Sequence, residues 1–551
     1  MLKVYSAETA NYANGPGVAP SEPPRHILQN IPKQMERLGL NAPIGIVFWT
    51  IGIGTCVRLL CAAFAIDLTF GEAYYIANAR HFALSYFDHP PLAFWLAGVT
   101  MKLTGLDALI VVRIPFIALF AATTWLMYRV GTLLFDEWVG AFSALLLNLS
   151  PLFTLSMGAW VEPDGPLIFF ILASALCIIR LASDHKPKSE TWLWAQAGFW
   201  LGLALLSKYY AVLLPVGVTL FALTSREHRI WFGKPGPYMA CVIAVAVFSP
   251  ALIWNIQHHW VSFDFQSERA IDFTGFNIRV LITNILGQAV FVGPWIWIPI
   301  LKACWRPLQD GRTNLASWFL LCVAWVPILF FTIMSLWMQT HGHYHWQAPG
   351  YIFLFPLLAR LTIDKLQNHD AFTLKWLRWS ILAPFIIIAL VASEAATGWA
   401  HSLLSNSVRP EHDFTLDTLE WKELRAALAE RQYLHKPRLF VVTENRFEVG
   451  KVDLEVGRFL PVVCMCQDPR DIAFGWNLPG FSGWDALIIG TDFQVPRVET
   501  AYGRYFQSIE REDDIVIHRG GKAVLNLHVY FAEHYLGSYP LPFSTDAQTS
   551  N

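Results

Sequence analysis

The chain of 551 residues is 54% hydrophobic and 15% charged, with 24 Trp and 39 Phe. Ordinary soluble domains carry more charge and less apolar weight, so the composition excludes a soluble globular enzyme and points to a polytopic membrane protein. A net charge of −2 gives no reason to expect nucleic acid as a partner.

Residues 1–42 are polar and proline-rich, carry Arg25, Lys33 and Arg37, and are expected to form a cytoplasmic N-terminal segment. No apolar core lies near Met1, so the first membrane helix should serve as the insertion signal. Apolar runs long enough to cross a bilayer, roughly 17 to 25 residues each, begin near Pro43, Leu109, Trp138, Gly165, Tyr238, Arg279, Leu315, Ala348 and Trp376. The stretch "AQAGFWLGLALLSKYYAVLLPVGVTLFALTS" is about 30 residues long, too long for one simple span, and reads as two short ones meeting at Lys208. The sum is about eleven crossings, within a range of about 11–13.

Loop charges set the orientation. Arg129, then Arg180, Lys186 and Lys188, then Arg226, Arg229 and Lys234, then Lys302, Arg306 and Arg312, then Arg360, Lys365 and Lys375 all fall on the side of the N-terminus. The positive-inside rule makes that side cytoplasmic, provided that residues 91–105 pack at the interface without crossing. Residues 67–90, "WVEPDGP" at 160–166, Lys208, "WNIQHHW" at 254–260 and "HGHYHW" at 341–346 then share the outer face.

From about residue 401 charge becomes frequent. The helix-like "TLEWKELRAALAERQ" is followed by strand-like "RLFVVTE", "DALIIGTD", "DIVIHR" and "LNLHVYF", which predicts a soluble α/β domain over 401–551 outside the membrane. Residues 43–400 are expected to form the transmembrane domain. No internal repeat of the inverted-transporter kind is present in the sequence pattern. Six of the eight cysteines lie in or beside apolar runs. The other two, Cys464 and Cys466, are spaced in a way poorly suited to a relaxed disulfide.

The polar islands carry the chemistry. "GEAYYIANARHFALSYFDHPP" predicts a short interfacial helix bearing Glu72, Tyr74 and Tyr75, then a turn with Asp88 and His89 fixed by Pro90 and Pro91; a solvated aromatic loop at headgroup level is the plainer alternative. "WVEPDGPL" places Glu162 and Asp164 at the mouth of a helix pair, where Asp164 serves either as a helix cap or as a general base or metal ligand. Lys208 costs roughly 2.5 to 3.5 kcal/mol to insert mid-span, which makes it a functional candidate unless it snorkels. His341, His343 and His345 alternate along one face and fit either phosphate contact or a metal site. Arg58 and Arg113 are expected to snorkel or to pair with a carboxylate, and Arg269 and Arg279 are weaker candidates.

The order of these motifs, over roughly residues 43–396, resembles the GT-C membrane glycosyltransferases of the protein O-mannosyltransferase and lipid A aminoarabinose transferase group, glycosyltransferase family 39. The resemblance implies a GT-C bundle that transfers a sugar from a polyprenyl-phosphate donor, with inversion, to a glycan, lipid or protein acceptor. The reaction would take place on the periplasmic face of a bacterial inner membrane and among membrane lipids. By position, "GEAYY" stands where the family has Asp-Glu, and "YFDHP" where it has Tyr-Phe-Glu-Lys-Pro. His89 thus takes the place of a phosphate-contacting lysine; Asp164 matches the second acidic loop, and Lys208 another lysine at the lipid phosphate. Gly71 replaces a family aspartate and Tyr74 an arginine. On this reading Glu72 and Asp164 are catalytic, and His89, Lys208 and Tyr74 hold the donor phosphate. Asp88, Tyr75, Arg113, His343 and His345 support them, with a divalent ion a further possibility at Asp88. A non-catalytic protein that binds or transports a polyprenyl-phosphate glycan is the alternative.

Overall fold

The computed structural model describes residues 42–64, 67–106, 108–183, 189–270, 275–338, 343–404, 416–491 and 498–540. The membrane part opens with α1 (Pro43–Phe64), α2 (Phe70–Ala79), α3 (Leu92–Thr104), α4 (Leu109–Leu134) and α5 (Glu137–Asn148). It continues through α6 (Asp164–Ser183), α7 (Glu190–Ser207), α8 (Leu213–Thr224), α9 (Pro235–Gln257) and α10 (Val261–Ala270). The remaining long helices are α11 (Ile278–Val292), α12 (Pro294–Asp310), α13 (Leu315–Met334), α14 (Phe355–Gln367) and α15 (Ala371–Thr397).

Among the described residues, 6 helices are long and apolar enough to cross a membrane, or up to 8 if each bent pair is one span. The chain is an integral membrane protein. Two runs that read as straight spans are bent, by 82° after α5 and by 106° between α11 and α12. Each bend has a local cause: Pro151 precedes a π-helical turn at Leu152–Ser156, and Gly293 has φ 92° immediately before Pro294, where a side chain would be strained. The crossings expected around 190–224 and from Ala348 run through shorter or broken helices. The 190–224 run breaks at Lys208, whose backbone is extended (φ −158°, ψ 138°) between α7 and a 3₁₀ turn. Helix α3 has 13 residues, short for a span.

The bundle core is mostly apolar: α6 buries Leu167, Ile171, Leu172 and Ala175 against α4 and α7. One polar end of the bundle is covered by the C-terminal unit, which contains α16 (Lys422–Glu430), β1 (Leu439–Thr443), α17 (Arg446–Val456), β2 (Val462–Cys464), β3 (Asp485–Thr491), β4 (Phe506–Arg511), β5 (Ile515–Arg519) and β6 (Lys522–Tyr535). The sheet order is β2-β1-β3-β6-β4, with β5 also on β6. Strands β2, β1 and β3 are parallel and β6 is antiparallel to β3. The four strand-like runs of the sequence correspond to β1, β3, β5 and β6.

This unit is locked onto α2. Helix α17 crosses it at Gly450, where a Cβ would lie 2.4 Å from the Tyr74 backbone nitrogen, so only glycine permits this approach. Arg80 bonds Asp453 at 2.8 Å. Buried Lys451 donates to the carbonyls of Leu68 and Leu419. Cys464 and Cys466, whose spacing suits a relaxed bridge poorly, are nonetheless joined in a disulfide. Both lie at the extended end of β2, where residues two apart share a face, and their Cα atoms are 5.4 Å apart, inside the usual span for a bridge.

Candidate active site

The site is assembled at the end of the bundle under the C-terminal unit, starting from α2. Thr69 caps this helix and accepts from the Glu72 backbone at 3.1 Å, while Glu72 accepts from the Thr69 backbone at 3.0 Å, a capping box. The Glu72 carboxylate is fully buried and pairs with Arg113 through both oxygens, at 2.8 and 2.6 Å. Its Oε1 also accepts from the Val161 backbone at 3.0 Å. Glu72 therefore spends its acceptor capacity on Arg113, on its own helix cap and on the second acidic loop. Arg113 pairs with a carboxylate, as one of the two sequence readings has it. Arg58 does neither thing expected: it is buried and donates to the Thr154 carbonyl and to Asn148 Oδ1, both at 3.1 Å.

The loop tied to Glu72 through Val161 carries Glu162 and Asp164. Asp164 Oδ2 accepts from Lys208 Nζ at 2.7 Å, with both side chains buried. The ammonium that looked stranded in an apolar run thus has its counter-ion, and each charge compensates the desolvation of the other. Asp164 Oδ1 is buried without a hydrogen-bond partner among the described residues. Lys208 also lies 5.2 Å from the Tyr210 ring, and His89 and His345 are within electrostatic reach of Asp164.

Glu162 is partly exposed and touches Ser156 Oγ at 3.3 Å through Oε2. Its Oε1 lies 3.6 Å from where a Gly71 Cβ would stand. Loss of hydration, then the Asp164 and Glu72 charges, push its carboxyl up to about 8. Glycine at 71 thus lies in van der Waals reach of this carboxylate.

The third group joins the membrane part to the loop after β2. Tyr74 donates to Asp471 Oδ2 at 2.8 Å, and the Phe87 backbone donates to Asp471 Oδ1. Asp88 Oδ2 accepts from Arg470 at 3.1 Å. Burial raises the Asp88 carboxyl, but the His89 and Arg470 charges outweigh it and hold the group down at about 2. Burial and the Asp88 charge drive Asp471 well above the carboxylate range. The pair is therefore one acid and one carboxylate. Tyr75 packs against Phe94, Tyr74 and His89 with ring centroids 5.1, 5.7 and 5.8 Å apart.

The structure thus gathers Glu72, Arg113, Asp164 and Lys208 through direct contacts and places Tyr74, Tyr75, Asp88 and His89 beside them. The His343 and His345 rings meet edge to face with centroids 5.7 Å apart, and His343 lies tilted on Trp346 at 4.7 Å; His341 lies outside the described residues. Among the described residues no group of three or more His, Cys, Asp and Glu could hold a metal ion. Sequence reasoning passed over Arg470 and Asp471, and noted Glu162 without a role. Glu162 carried a signal in its spacing from Asp164; the other two carried none.

Residues 88–254 match the family described as dolichyl-phosphate-mannose-protein mannosyltransferase. The crystal structure of ArnT from Cupriavidus metallidurans bound to undecaprenyl phosphate superposes with a TM-score of 0.60 at 13% identity, covering 90% of this chain and 99% of that one. Two curated relatives are undecaprenyl phosphate-alpha-4-amino-4-deoxy-L-arabinose arabinosyl transferases. The one from Photorhabdus laumondii is 22% identical over 306 residues, 53% of this chain and 52% of its own. The one from Proteus mirabilis is 25% identical over 260 residues, 44% and 45% respectively. The chain spans about half the length of these relatives.

Proposed function

We propose that this protein transfers a sugar from a polyprenyl-phosphate donor to an acceptor hydroxyl, with inversion, at the periplasmic face of a bacterial inner membrane. The observation that carries the reading is the pairing of two unlike groups at one mouth: a partly exposed Glu162 carboxyl beside Gly71, and a buried Lys208 ammonium held by the neighbouring Asp164. The loop charges support the outer face. So does the Cys464–Cys466 disulfide, which persists in oxidising compartments.

In this mechanism Glu162 is the general base. The acceptor O–H gives its proton to Glu162 as its oxygen bonds to the anomeric carbon. The bond from that carbon to the phosphate oxygen breaks with its electron pair going to the phosphate, on the opposite face of the sugar. Lys208 and His89 stabilise the departing phosphate by charge, and Asp164 holds the Lys208 ammonium in place. Glu72 acts one step removed: paired with Arg113 and bonded to Val161, it fixes the loop that presents Glu162. Tyr74, Asp88 and Tyr75 shape the opposite wall. An apolar cavity lined by Tyr210, Leu213, Phe331 and Trp346 adjoins Lys208 and suits a prenyl chain. The divalent ion raised by the sequence is assigned no step.

The test uses purified full-length protein in nanodiscs with labelled undecaprenyl-phosphate sugars and envelope extracts as acceptors. Transfer that is lost in Glu162→Gln and Lys208→Ala supports the reading. Donor binding without turnover against any acceptor would instead favour a binding or transport protein.

A further inference from the structure

The C-terminal unit has a cavity of its own, and the reaction described above makes no use of it. Strand β1 lies between two parallel neighbours reached by connections on opposite faces. Helix α17 places Val449, Val452 and Val456 over Val441 and Leu487, whereas the segment between β2 and β3 places Leu478 and Phe481 over Phe440, Val442 and Ile488. The chain leaves β1 towards β2 and returns past it to β3, so the carboxyl ends of these strands form a topological switch point. Sheets of this kind bind ligands in the crevice there.

A cavity of about 570 Å³ occupies that position, with Glu444 from the end of β1, Gln467 from the end of β2, and Tyr502, Arg504, Tyr505 and Tyr539 on its walls. Such a volume is in the usual range of small-molecule sites, about 300–1,000 Å³. The Tyr505 and Tyr539 rings meet edge to face at 4.9 Å, and the Arg504 guanidinium lies 4.7 Å over Tyr505. Tyr502 is pinned by its hydroxyl to the Met465 carbonyl at 2.7 Å. Burial pushes the Glu444 carboxyl up to about 7.

The lining selects among ligand classes. Glu444 and Glu448 stand at the start of α17 in "TENRFE", where a nucleotide site would need a glycine-rich loop and no carboxylate. Rigid tyrosine rings with polar tips, a carboxyl that accepts or donates and a guanidinium that donates suit a ring with one C–H face and a rim of hydroxyls. We propose that this cavity binds a pyranose unit of the acceptor glycan, away from the sugar that reacts; its role as an acceptor subsite rests on the transferase reading. The loop from Cys464 to Asp471 is shared by the two places. Its Cys466 and Gln467 wall the cavity, while Arg470 and Asp471 contact Asp88 and Tyr74. Three Cα steps separate Gln467 from Arg470, at most about 11 Å along the chain. One short segment therefore joins the cavity to the wall of the candidate site.

The test is saturation-transfer NMR on the full-length protein in nanodiscs, with methyl glycosides of glucose, glucosamine and N-acetylglucosamine as probes. Saturation should reach the ring protons of at least one probe. It should weaken about tenfold in Glu444→Gln, Arg504→Gln and Tyr539→Ala variants whose melting temperature and undecaprenyl-phosphate binding match the unaltered protein. No saturation of any probe, or a signal that survives in all three variants, overturns the proposal. Binding is read here without turnover, so the pyranose site stands or falls separately from the transfer assay.

Discussion

The position of the base can be read from a pH profile. Glu162 has its carboxyl pushed from 4.5 up to about 8 by burial and by the Asp164 and Glu72 charges. A base with that pKa is ionised in roughly 1% of molecules at pH 6 and in about half at pH 8, so kcat/KM should rise roughly fifty-fold between them. Replacing the carboxylate by an amide in Glu162→Gln should lower kcat/KM by about 10²- to 10⁴-fold and remove the rise. The same raised pKa means that the folded state binds the proton more tightly than the unfolded chain. Stability contributed through Glu162 therefore falls as pH climbs from 4.5 to about 8, and Glu162→Gln should escape that loss. The assay is initial-rate transfer from labelled undecaprenyl-phosphate sugar in nanodiscs, with thermal melting at each pH as the control. A wild-type plateau already reached below pH 6, or a Glu162→Gln profile that keeps the rise, would refute the assignment.

Three further outcomes are expected. Lys208→Met leaves Asp164 buried without its counter-ion and should cost about 3–5 kcal/mol, read as a lower melting temperature, while Lys208→Met combined with Asp164→Leu should recover much of the stability but no transfer. Gly450→Val drives a side chain into the Ala73–Tyr74 backbone and should release the C-terminal unit, visible as faster proteolysis of that unit with the bundle intact. Arg470→Ala strands the Asp88 charge, so donor affinity and melting temperature should both drop, and Arg470→Ala with Asp88→Asn should restore the melting temperature.

Hydropathy made the bundle legible because a span announces itself by length. It could not show the bends at Pro151 and Gly293, where one residue redirects a run that otherwise looks continuous. Lys208 was legible through its insertion cost, but its partner Asp164 lies in another loop and needed the fold. Strands β1, β3, β5 and β6 stand out as β-branched runs, whereas β2 has only three residues and β4 reads as polar. The choice among acids shows the limit of motif order. Glu72 occupies the motif position, yet in three dimensions its oxygens face Arg113, Thr69 and Val161, while Glu162 lies beside Gly71. Asp471 meets Tyr74 across 397 residues of sequence, and nothing local in "QDPRDIAFG" marks that partnership.

The backbone contact at Gly450 also governs how substrates arrive. Opening the C-terminal unit like a lid would have to separate two helix backbones, withdraw buried Lys451 and break the Arg470–Asp88 pair together. On the transferase reading, with that roof fixed, a prenyl-borne donor would have to reach Glu162 sideways, by diffusing within the leaflet and threading between helices. The encounter is then a search in two dimensions, and its rate should follow the donor's surface density in the membrane more closely than its bulk concentration.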